Sequence, residues 1–305
     1  MKGIIMDKVP ALDGKNIGFL GVGAMGSGMC LNLLKKGAKV GFLESKAAKN
    51  TELIEAGAVT YSSIAELAGN STEVILCLPS SVEVMELCLG DIGVVAHIGT
   101  GNIIIDTTSS FPAETLKLHE VCKQAGVRLV DAPLTRNPED ARVGRLNCVV
   151  GASDEDFAAV KPIFDAYCEN VVHAGEVSAG HRIKVLNNAL SLSCAAVVSE
   201  VCAVARASGA DLEKLLELAV LGGANSPQFV GMMRYHLDGD KKALGFGIAL
   251  AAKDLNYFNI MAEEAGLTTR LSPHTGAYLN DARDSGFGAK TLPALIDFVE
   301  PGLKT

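Results

Sequence analysis

A glycine-rich hexapeptide between an apolar run and an amphipathic segment constrains this chain more than any other feature. The hexapeptide consists of Gly21, Val22, Gly23, Ala24, Met25 and Gly26. It follows the β-rich run Asn16–Leu20 and leads into a segment with helical spacing, Met25–Lys36. In such a strand-turn-helix, Gly21 permits a tight turn, Gly23 lets the backbone approach a pyrophosphate, and Gly26 allows close helix-strand packing. N–H groups at the helix start attract the anion, so the hexapeptide predicts a dinucleotide-binding loop.

Short β-rich runs alternate with helical segments over roughly the first half of the chain. The runs are Asn16–Leu20, Lys39–Leu43, Val74–Leu78, Ile103–Asp106, Arg128–Val130, Asn147–Val150 and Asn170–His173. Segments such as Met25–Lys36, Val82–Leu89 and Ala113–Ala125 have the i, i+3, i+4 spacing of amphipathic helices. This alternation predicts right-handed crossovers and an α/β Rossmann domain with a doubly wound, mostly parallel sheet.

The pattern changes after Gly175. Between Ser178 and Ser208 there is no proline, Gly180 is the only glycine, and Leu, Val, Ala and Ser dominate. This predicts one very long helix, followed by helices around Asp211–Leu221, Ile248–Ala265, Pro273–Arg283 and Leu292–Phe298. We therefore expect a cofactor domain over residues 1–175 and an all-α domain over residues 176–305.

Composition excludes several classes of function. The chain has 305 residues, of which 49% are hydrophobic and 20% charged, as in globular proteins. The net charge of −8 leaves no basic stripe for a phosphate backbone, so no nucleic acid partner is expected. Residues 1–15 resemble neither a signal nor a transit peptide. No apolar stretch reaches the ~18 uninterrupted residues needed to cross a bilayer, so no membrane segment is expected.

Cysteine and histidine spacings predict no metal site. The eight cysteines are scattered, mostly inside apolar runs, and none forms a CxxC pair. No HxxxH or HExxH spacing occurs, so we interpret His173, His181 and the other histidines as structural. Buried free thiols are typical of a reducing compartment, which points to the cytoplasm.

An acidic residue at the end of the second β-rich run bears on the choice of cofactor. Glu44 lies 18 positions after Gly26 (44 − 26), where a carboxylate can accept hydrogen bonds from the ribose hydroxyls of NAD and repel the extra phosphate of NADP. An exposed loop acid is the alternative interpretation, and nearby Lys46 weakens the discrimination. We expect NAD, with NADP as a possible second cofactor.

These features, with several further motifs, resemble the β-hydroxyacid dehydrogenase family, which includes 3-hydroxyisobutyrate dehydrogenases and tartronate semialdehyde reductases. GFLGVGAMGSGMCLNLLKKG resembles the family's opening signature, and the resemblance covers nearly the whole chain. Cys77-Leu78-Pro79-Ser80 resembles its second cofactor loop, which implies that Leu78 and Pro79 contact the cofactor. Asp106-Thr-Thr-Ser109 resembles its DxST segment, which implies that Ser109, where Thr is usual, lies on the nicotinamide side.

The segment beginning at Asp131 resembles the family's substrate signature but departs from it. The usual DAPVSGG reads DAPLTRN here, so Thr135 replaces serine and Arg136 and Asn137 replace two glycines. A family in which glycine amides cradle a carboxylate thus has a guanidinium at this position, and a guanidinium can hold an oxyanion bidentately. The resemblance therefore implies that Thr135, Arg136 and Asn137 bind substrate.

Gly180-His-Arg-Ile-Lys184-Val-Leu-Asn187-Asn188 resembles the family's GxxxKxxNN catalytic segment. Helical spacing places Lys184, Asn187, Asn188 and Ser191 on one face, where a solvated polar strip is the alternative. Lys184 can give a proton to the alkoxide that forms as hydride adds to a carbonyl, or take it back in the reverse direction. Asn188 can position the substrate, and Asn187 with Ser191 can meet its anionic end.

Lys253-Asp254-Leu255 matches the family's KDL segment, which implies that Lys253 contacts the cofactor; a surface ion pair is the alternative. Arg136 together with the KxxNNxxxS spacing most resembles sulfolactaldehyde reductases. The implied reaction is NAD(H)-dependent interconversion of a short acidic aldehyde and its hydroxyacid. Hydroxyisobutyrate, tartronate semialdehyde and succinic semialdehyde remain open as substrates.

Three other classes of protein share part of this pattern. Imine reductases share the fold but usually lack the lysine present at 184, and decarboxylating phosphogluconate dehydrogenases have a much longer helical region. A non-catalytic NAD-binding protein would keep the three glycines and discard the lysine and the paired asparagines. The resemblance also implies a homodimer or homotetramer.

Overall fold

The computed structural model describes residues 12–240 and 244–299. The chain divides into two compact units, and the division falls between Lys184 and Val185. The division expected from the change in sequence pattern was at 175/176, before the long helix. In the structure it falls inside that helix, because the first helical turn is hydrogen-bonded to residues of the first unit.

The first unit is built on a nine-stranded sheet among the described residues. Its strands are β1 (Asn16–Leu20), β2 (Lys39–Leu43), β3 (Val59–Tyr61), β4 (Glu73–Leu76), β5 (Ile103–Asp106), β6 (Arg128–Asp131), β7 (Leu134–Thr135), β8 (Leu146–Gly151) and β9 (Cys168–Gly175). The spatial order is β3-β2-β1-β4-β5-β6-β8-β7, with β9 on β8. Strands β1 to β6 are parallel, in the 3-2-1-4-5-6 order of a Rossmann fold. β8 runs antiparallel to β6 and β7.

Helices cover both faces of this sheet. They are α1 (Ala24–Lys35), α2 (Thr51–Glu55), α3 (Ile64–Gly69), α4 (Ser81–Cys88), α5 (Val94–His97), α6 (Pro112–Gln124), α7 (Pro138–Arg142) and α8 (Asp154–Phe164). Every residue of β4 and β5 is buried, as expected for strands covered on both sides. Two separate apolar clusters fill the unit, one containing residues of α1 and α8 and the other containing residues of α4 and α6. The doubly wound prediction is confirmed.

The second unit is helical. It contains α10 (Leu212–Ala219), α11 (Pro227–Leu237), α12 (Ile248–Glu264), α13 (Leu271–Ala282) and α14 (Leu295–Val299), and most of the 30-residue helix α9 (Ala179–Ser208). Its apolar core includes Leu192 and Cys202 of α9, Met233 of α11, and Leu255 of α12. The predicted α/β domain followed by an all-α domain is thus the observed fold.

Helix α9 is long and apolar enough to cross a membrane by length and composition alone. More than half of its most apolar 18-residue window, 56%, is buried inside the protein, and helices at the core of soluble proteins meet the same criterion. Because Leu192, Ala195 and Cys202 pack in the core of the second unit, we interpret α9 as a core helix.

Candidate active site

The phosphate loop has the backbone geometry that its three glycines predict. Gly21 adopts a positive φ of 104°, and a Cβ there would collide with the carbonyl oxygen of Cys77. A Cβ at Gly26 would collide with the carbonyl oxygen of Gly21, so α1 lies directly against the loop. At Gly23, by contrast, no atom of the described chain lies within 4 Å of an added Cβ. Space is therefore open at the one glycine expected to face a ligand.

The residues around this loop fit a dinucleotide. Helix α1 begins at Ala24 after Gly23, its first turn carries no acidic residue, and its N-terminal N–H groups and dipole favour an anion. Glu44 is exposed in the 3₁₀ turn Glu44–Lys49 that directly follows β2. Strands β1 and β2 are neighbours, so Glu44 lies at the same sheet edge as the loop, where a ribose carboxylate ligand belongs.

The loops after β4 and β5 are fixed to each other at this edge. The Leu78 N–H donates to Thr108 Oγ1 at 3.1 Å, and the Thr107 hydroxyl donates to the Leu76 carbonyl at 2.6 Å. Asp106, buried at the end of β5, accepts from the Thr108 N–H at 2.9 Å and from the Ser110 hydroxyl at 2.8 Å. These bonds set the course of the chain at the residues that were predicted to contact the cofactor. They are Leu78 and Ser109, which are partly buried, and Pro79, which is exposed.

The predicted substrate loop follows β7. Thr135 Oγ1 accepts from Asn147 Nδ2 at 3.1 Å. Arg136 has a left-handed φ of 79°, the conformation that the glycine usual at this position adopts without strain. Its guanidinium lies 2.5 Å from Glu169 Oε2 and also donates to the Arg145 carbonyl. An anionic substrate would share or displace this pairing.

Asn137 has a local structural role that differs from the predicted contact with substrate. Its side-chain oxygen accepts from the N–H groups of Glu139 at 2.9 Å and Asp140 at 3.0 Å, and so caps α7. Pro138 in the first turn completes a typical helix start. The side chain predicted to bind substrate is therefore engaged in a cap.

Helices α1 and α7 are joined by Asn32, for which no separate role was predicted from sequence. Asn32 Nδ2 donates to the Ala141 carbonyl at 2.8 Å and to the Gly28 carbonyl of its own helix at 2.8 Å. Gly28 lets the helices touch, because a Cβ there would lie 2.7 Å from the Arg142 nitrogen. This asparagine belongs to the family's opening signature, but sequence spacing gives no sign of a partner that lies 109 residues away.

The start of α9 is attached to the end of β6. Asp131 Oδ1 accepts from the Ser178 N–H at 2.5 Å, and Oδ2 accepts from the His181 N–H at 2.7 Å. Burial raises the pKa of the Asp131 carboxyl above its ordinary value; His181 and the two N–H donors lower it, and nearby Asp106 raises it. Lys184 lies one helical turn after His181, within the first unit, and is only 8% exposed.

Registers across the sheet place this helix start on the same edge as the phosphate loop. Leu20, Leu76, Asp106 and Asp131 are consecutive register partners on β1, β4, β5 and β6. Three strand spacings of about 4.8 Å separate the first from the last, roughly 14 Å. The loop, the nicotinamide-side segment after β5 and the start of the lysine-bearing helix therefore occupy one edge of one unit.

In the second unit, Asn188 is nearly buried and donates through Nδ2 to Asp254 Oδ2 at 2.6 Å. Lys253 Nζ lies 2.7 Å from Asp254 Oδ1, an ion pair without hydrogen-bond alignment, and 4.6 Å from the ring centre of Tyr257. Lys253, predicted to contact the cofactor, thus pairs with its own neighbour in sequence. Asp254 was predicted only as part of the KDL segment, with no role of its own, yet it accepts the hydrogen bond from Asn188.

The two other polar residues of the α9 face differ in their surroundings. The Ser191 hydroxyl donates to Gln228 Oε1 at 3.0 Å, while Asn187 is exposed and its amide lies 3.5 Å from Asn188 Oδ1. Neither bond is charge-assisted. Over residues 12–240 and 244–299, no group of three or more His, Cys, Asp or Glu side chains could hold a metal ion.

Comparison with known proteins gives matches along most of the chain. Residues 16–175 match the family described as the NAD binding domain of 6-phosphogluconate dehydrogenase. Residues 178–299 match the NAD-binding family of NADP-dependent 3-hydroxyisobutyrate dehydrogenase.

Individual relatives are similar over nearly their whole length. The chain is 30% identical to a 3-hydroxyisobutyrate dehydrogenase of Pseudomonas aeruginosa, over 84% of this chain and 88% of the relative. It is 28% identical to a 2-(hydroxymethyl)glutarate dehydrogenase of Eubacterium barkeri, over 92% and 93%. A solved structure of a Mycobacterium tuberculosis 3-hydroxyisobutyrate dehydrogenase with L-serine has the same fold. Its TM-score is 0.84 at 22% identity, over 94% of this chain and 99% of that one.

Proposed function

The chain belongs to the β-hydroxyacid dehydrogenase family of NAD(P)-dependent enzymes, and from that premise we propose that it interconverts a short acidic aldehyde and its hydroxyacid with NAD(H). One observation carries the proposal. Lys184 is nearly buried, belongs to the same compact unit as the phosphate loop, and lies one turn beyond residues bonded to the dinucleotide edge of the sheet.

Lys184 has the acid-base role in this proposal. When bound, the nicotinamide ring supplies the hydride to the carbonyl carbon or accepts it from the alcohol carbon. As the carbonyl oxygen gains negative charge, the Lys184 ammonium stabilises it and transfers a proton from Nζ to that oxygen. In the oxidative direction the neutral amine removes the hydroxyl proton. Asn188, held by Asp254, orients the substrate oxygen.

The test is the Lys184→Ala variant, assayed by absorbance at 340 nm. We expect kcat to fall by at least ~10²-fold, the lower range for a positioned acid or base. Lys214→Ala is the matched control, because Lys214 is an exposed helical lysine paired with Glu217 on α10. Equal rates for the wild type and Lys184→Ala would contradict the proposal.

The substrate is proposed to carry an anionic group that meets the Arg136 guanidinium. The sulfonate of sulfolactaldehyde is an oxyanion that a guanidinium can bind bidentately. 3-Hydroxyisobutyrate is favoured by a different observation, the 30% identity to a dehydrogenase of that name. A panel with sulfolactaldehyde, succinic semialdehyde and tartronate semialdehyde plus NADH, and with 3-hydroxyisobutyrate plus NAD, ranks them by kcat/KM.

We propose NAD rather than NADP as the preferred cofactor, because Glu44 presents an exposed carboxylate after β2. Replacing Glu44 by Ala removes ribose hydrogen bonds and the repulsion of a 2′-phosphate. The ratio of kcat/KM for NAD over NADP is expected to fall at least ~10-fold, since loss of one charged contact is worth ~1.4 kcal/mol or more. Glu55→Ala, an exposed acid on α2, is the control. A wild-type preference for NADP would overturn the assignment.

We further propose a soluble cytoplasmic homo-oligomer. Apolar side chains of α9 recur at helical spacing on its exposed side. They are Leu186, Leu190, Val197, Val201 and Val204. An exposed apolar stripe of this length is typical of a protein interface, and a second copy is the partner that the proposed oligomer supplies. Sedimentation equilibrium tests it: a mass of one 31.8 kDa chain at micromolar concentration would contradict it.

A further inference from the structure

Two fully buried polar residues, Asp131 and His181, connect the helix that carries Lys184 to the rest of the first unit. Neither side chain has any solvent exposure. Burying a carboxylate beside an imidazole is unfavourable unless each polar atom is bonded, so their partners show what the arrangement holds in place.

Asp131 caps α9 from outside the helix. Its two carboxylate oxygens accept from the Ser178 and His181 N–H groups at the start of the helix, where the helix dipole also favours negative charge. Gly151 and Gly180 make room for it, since a Cβ on Gly151 would collide with Oδ1 and a Cβ on Gly180 would lie 2.8 Å from Oδ2. The first turn of α9 is therefore fixed to the end of β6 by a charged cap.

The His181 ring connects the same turn to the loop after β5. Nε2 lies 2.9 Å from the Thr108 carbonyl, which can only accept, so Nε2 carries a proton. Nδ1 lies 2.7 Å from Thr115 Oγ1 on α6, and the Thr115 hydroxyl can donate to it. Thr108 directly precedes Ser109, the residue expected on the nicotinamide side. The ring thus connects the first turn of α9 to the segment that contains Ser109, which is expected to lie on the nicotinamide side of the cofactor.

We propose that Asp131 and His181 are positioning residues that hold the Lys184 ammonium at the nicotinamide. This inference rests on the proposed function. His181 and Lys184 are spaced i, i+3 and lie on the same side of α9, so a shift or rotation of the first turn moves the lysine directly. A displacement of about 1 Å at a reacting group can lower the rate ~10²-fold.

The experiment compares His181→Ala with His181→Gln in the full chain. Alanine removes both ring contacts. Glutamine can still donate to the Thr108 carbonyl and accept from Thr115, but it cannot titrate. With 3-hydroxyisobutyrate and NAD, we expect His181→Ala to lower kcat ~10- to 10²-fold while the KM for NAD changes less than about 2-fold. His181→Gln should recover kcat to within ~5-fold of the wild type. If 3-hydroxyisobutyrate is turned over slowly, the panel compound with the highest kcat/KM replaces it.

A kinetic isotope effect separates positioning from general damage to the fold. With substrate deuterated at the carbinol carbon, a misplaced lysine makes the chemical step slower than product release, so the isotope effect on kcat should rise in His181→Ala. His274→Ala, an exposed histidine of α13, should behave as wild type. Thermal unfolding of each variant shows whether a lost rate follows lost structure.

The outcomes are distinct. No turnover by the wild type with any panel compound overturns the proposed function. Turnover that depends on Lys184, with His181→Ala equal to wild type in kcat and isotope effect, overturns the positioning role and leaves the function intact. A His181→Gln variant that folds normally but is as slow as His181→Ala also overturns it, because the capacity of the ring to take up and release a proton, which glutamine lacks, is then what matters.

Discussion

The three glycines of the phosphate loop are glycine for different physical reasons. Gly21 needs a positive φ and lies against the Cys77 carbonyl, whereas Gly26 leaves no room for a side chain between α1 and the loop. Gly23 has φ −81°, which any residue adopts, and open space in front of it. Of the three, therefore, only Gly23 could carry a side chain without a clash inside the folded chain.

This difference gives a prediction at two positions. Gly23→Ala should leave the melting temperature within about 2 °C of wild type, because the added methyl meets nothing in the fold, yet weaken NADH binding at least ~10-fold by blocking close approach of the pyrophosphate. Gly26→Ala should lower the melting temperature by several degrees, because overpacking typically costs ~1–3 kcal/mol. Differential scanning fluorimetry and NADH fluorescence titration measure the two effects. Unchanged NADH affinity in Gly23→Ala would contradict this account.

Single-residue properties were predictable from sequence where they depend on local backbone geometry. The roles of the three glycines follow from their spacing and flanking elements. The partners of Arg136 could not be predicted in this way. Glu169 comes from a different strand, and neither residue belongs to a local motif that would pair them. The Asp131 cap on Ser178 and His181 joins residues about fifty positions apart, so no window along the chain contains it.

At the scale of elements, α7 shows how a cap and a binding residue can be confused. Its start, Asn137-Pro138, carries the usual helix signals, but Asn137 also stands where the family has a glycine that binds substrate, and that departure favoured a binding role. The structure gives Asn137 a cap, and the substrate role stays a prediction.

Substitutions at Asn137 separate these roles. Asn137→Ala should lower the free energy of unfolding by about 1 kcal/mol through loss of the cap. Asn137→Asp keeps an acceptor for the Glu139 and Asp140 N–H groups and should have the stability of the wild type. A substrate-binding role for this side chain predicts that the added negative charge raises the KM of an anionic substrate several-fold. Urea unfolding and steady-state kinetics are the measurements. An Asn137→Ala variant as stable as wild type would argue against the cap.

Regular elements were predictable in proportion to their length and periodicity. The bounds of β1, β2 and β5 match the expected runs, and α9 begins within one residue of its expected start. The short strands β3 and β7 were missed because two or three residues carry no period. Helix α11 was missed although the signals are present: Ser226 caps it, Pro227 opens it, and its buried Phe229, Met232 and Met233 recur at i, i+3 and i+4.

At the scale of the whole molecule, the sequence predicted the order of the two architectures and the free state of the cysteines, all eight of which are free thiols. Burial raises the pKa of Cys77 to about 11 and that of Cys122 to about 12, from an ordinary value of 9.0. Between pH 9 and these values the unfolded thiols ionise while the folded ones stay protonated. The unfolded state then binds fewer protons, so folding weakens as pH rises.

We therefore expect the free energy of unfolding to fall between pH 8 and pH 10, with each fully buried thiol contributing about 1 kcal/mol. Urea unfolding under reducing conditions measures it. Cys122 is completely buried, so Cys122→Ala should be less stable at pH 8 but lose less stability on going to pH 10. The same loss in both proteins would show that this thiol is not responsible.

The contact of α1 with α7 through Gly28 and Asn32 has a consequence for recombination between relatives. The segment that we propose to bind substrate is packed against the helix that follows the phosphate loop. A chimaera that imports residues 134–146 from another dehydrogenase should inherit a working specificity only when positions 28 and 32 come from the same parent. If that chimaera behaves as expected, substrate specificity is transferred between relatives only when two distant segments of sequence are exchanged together.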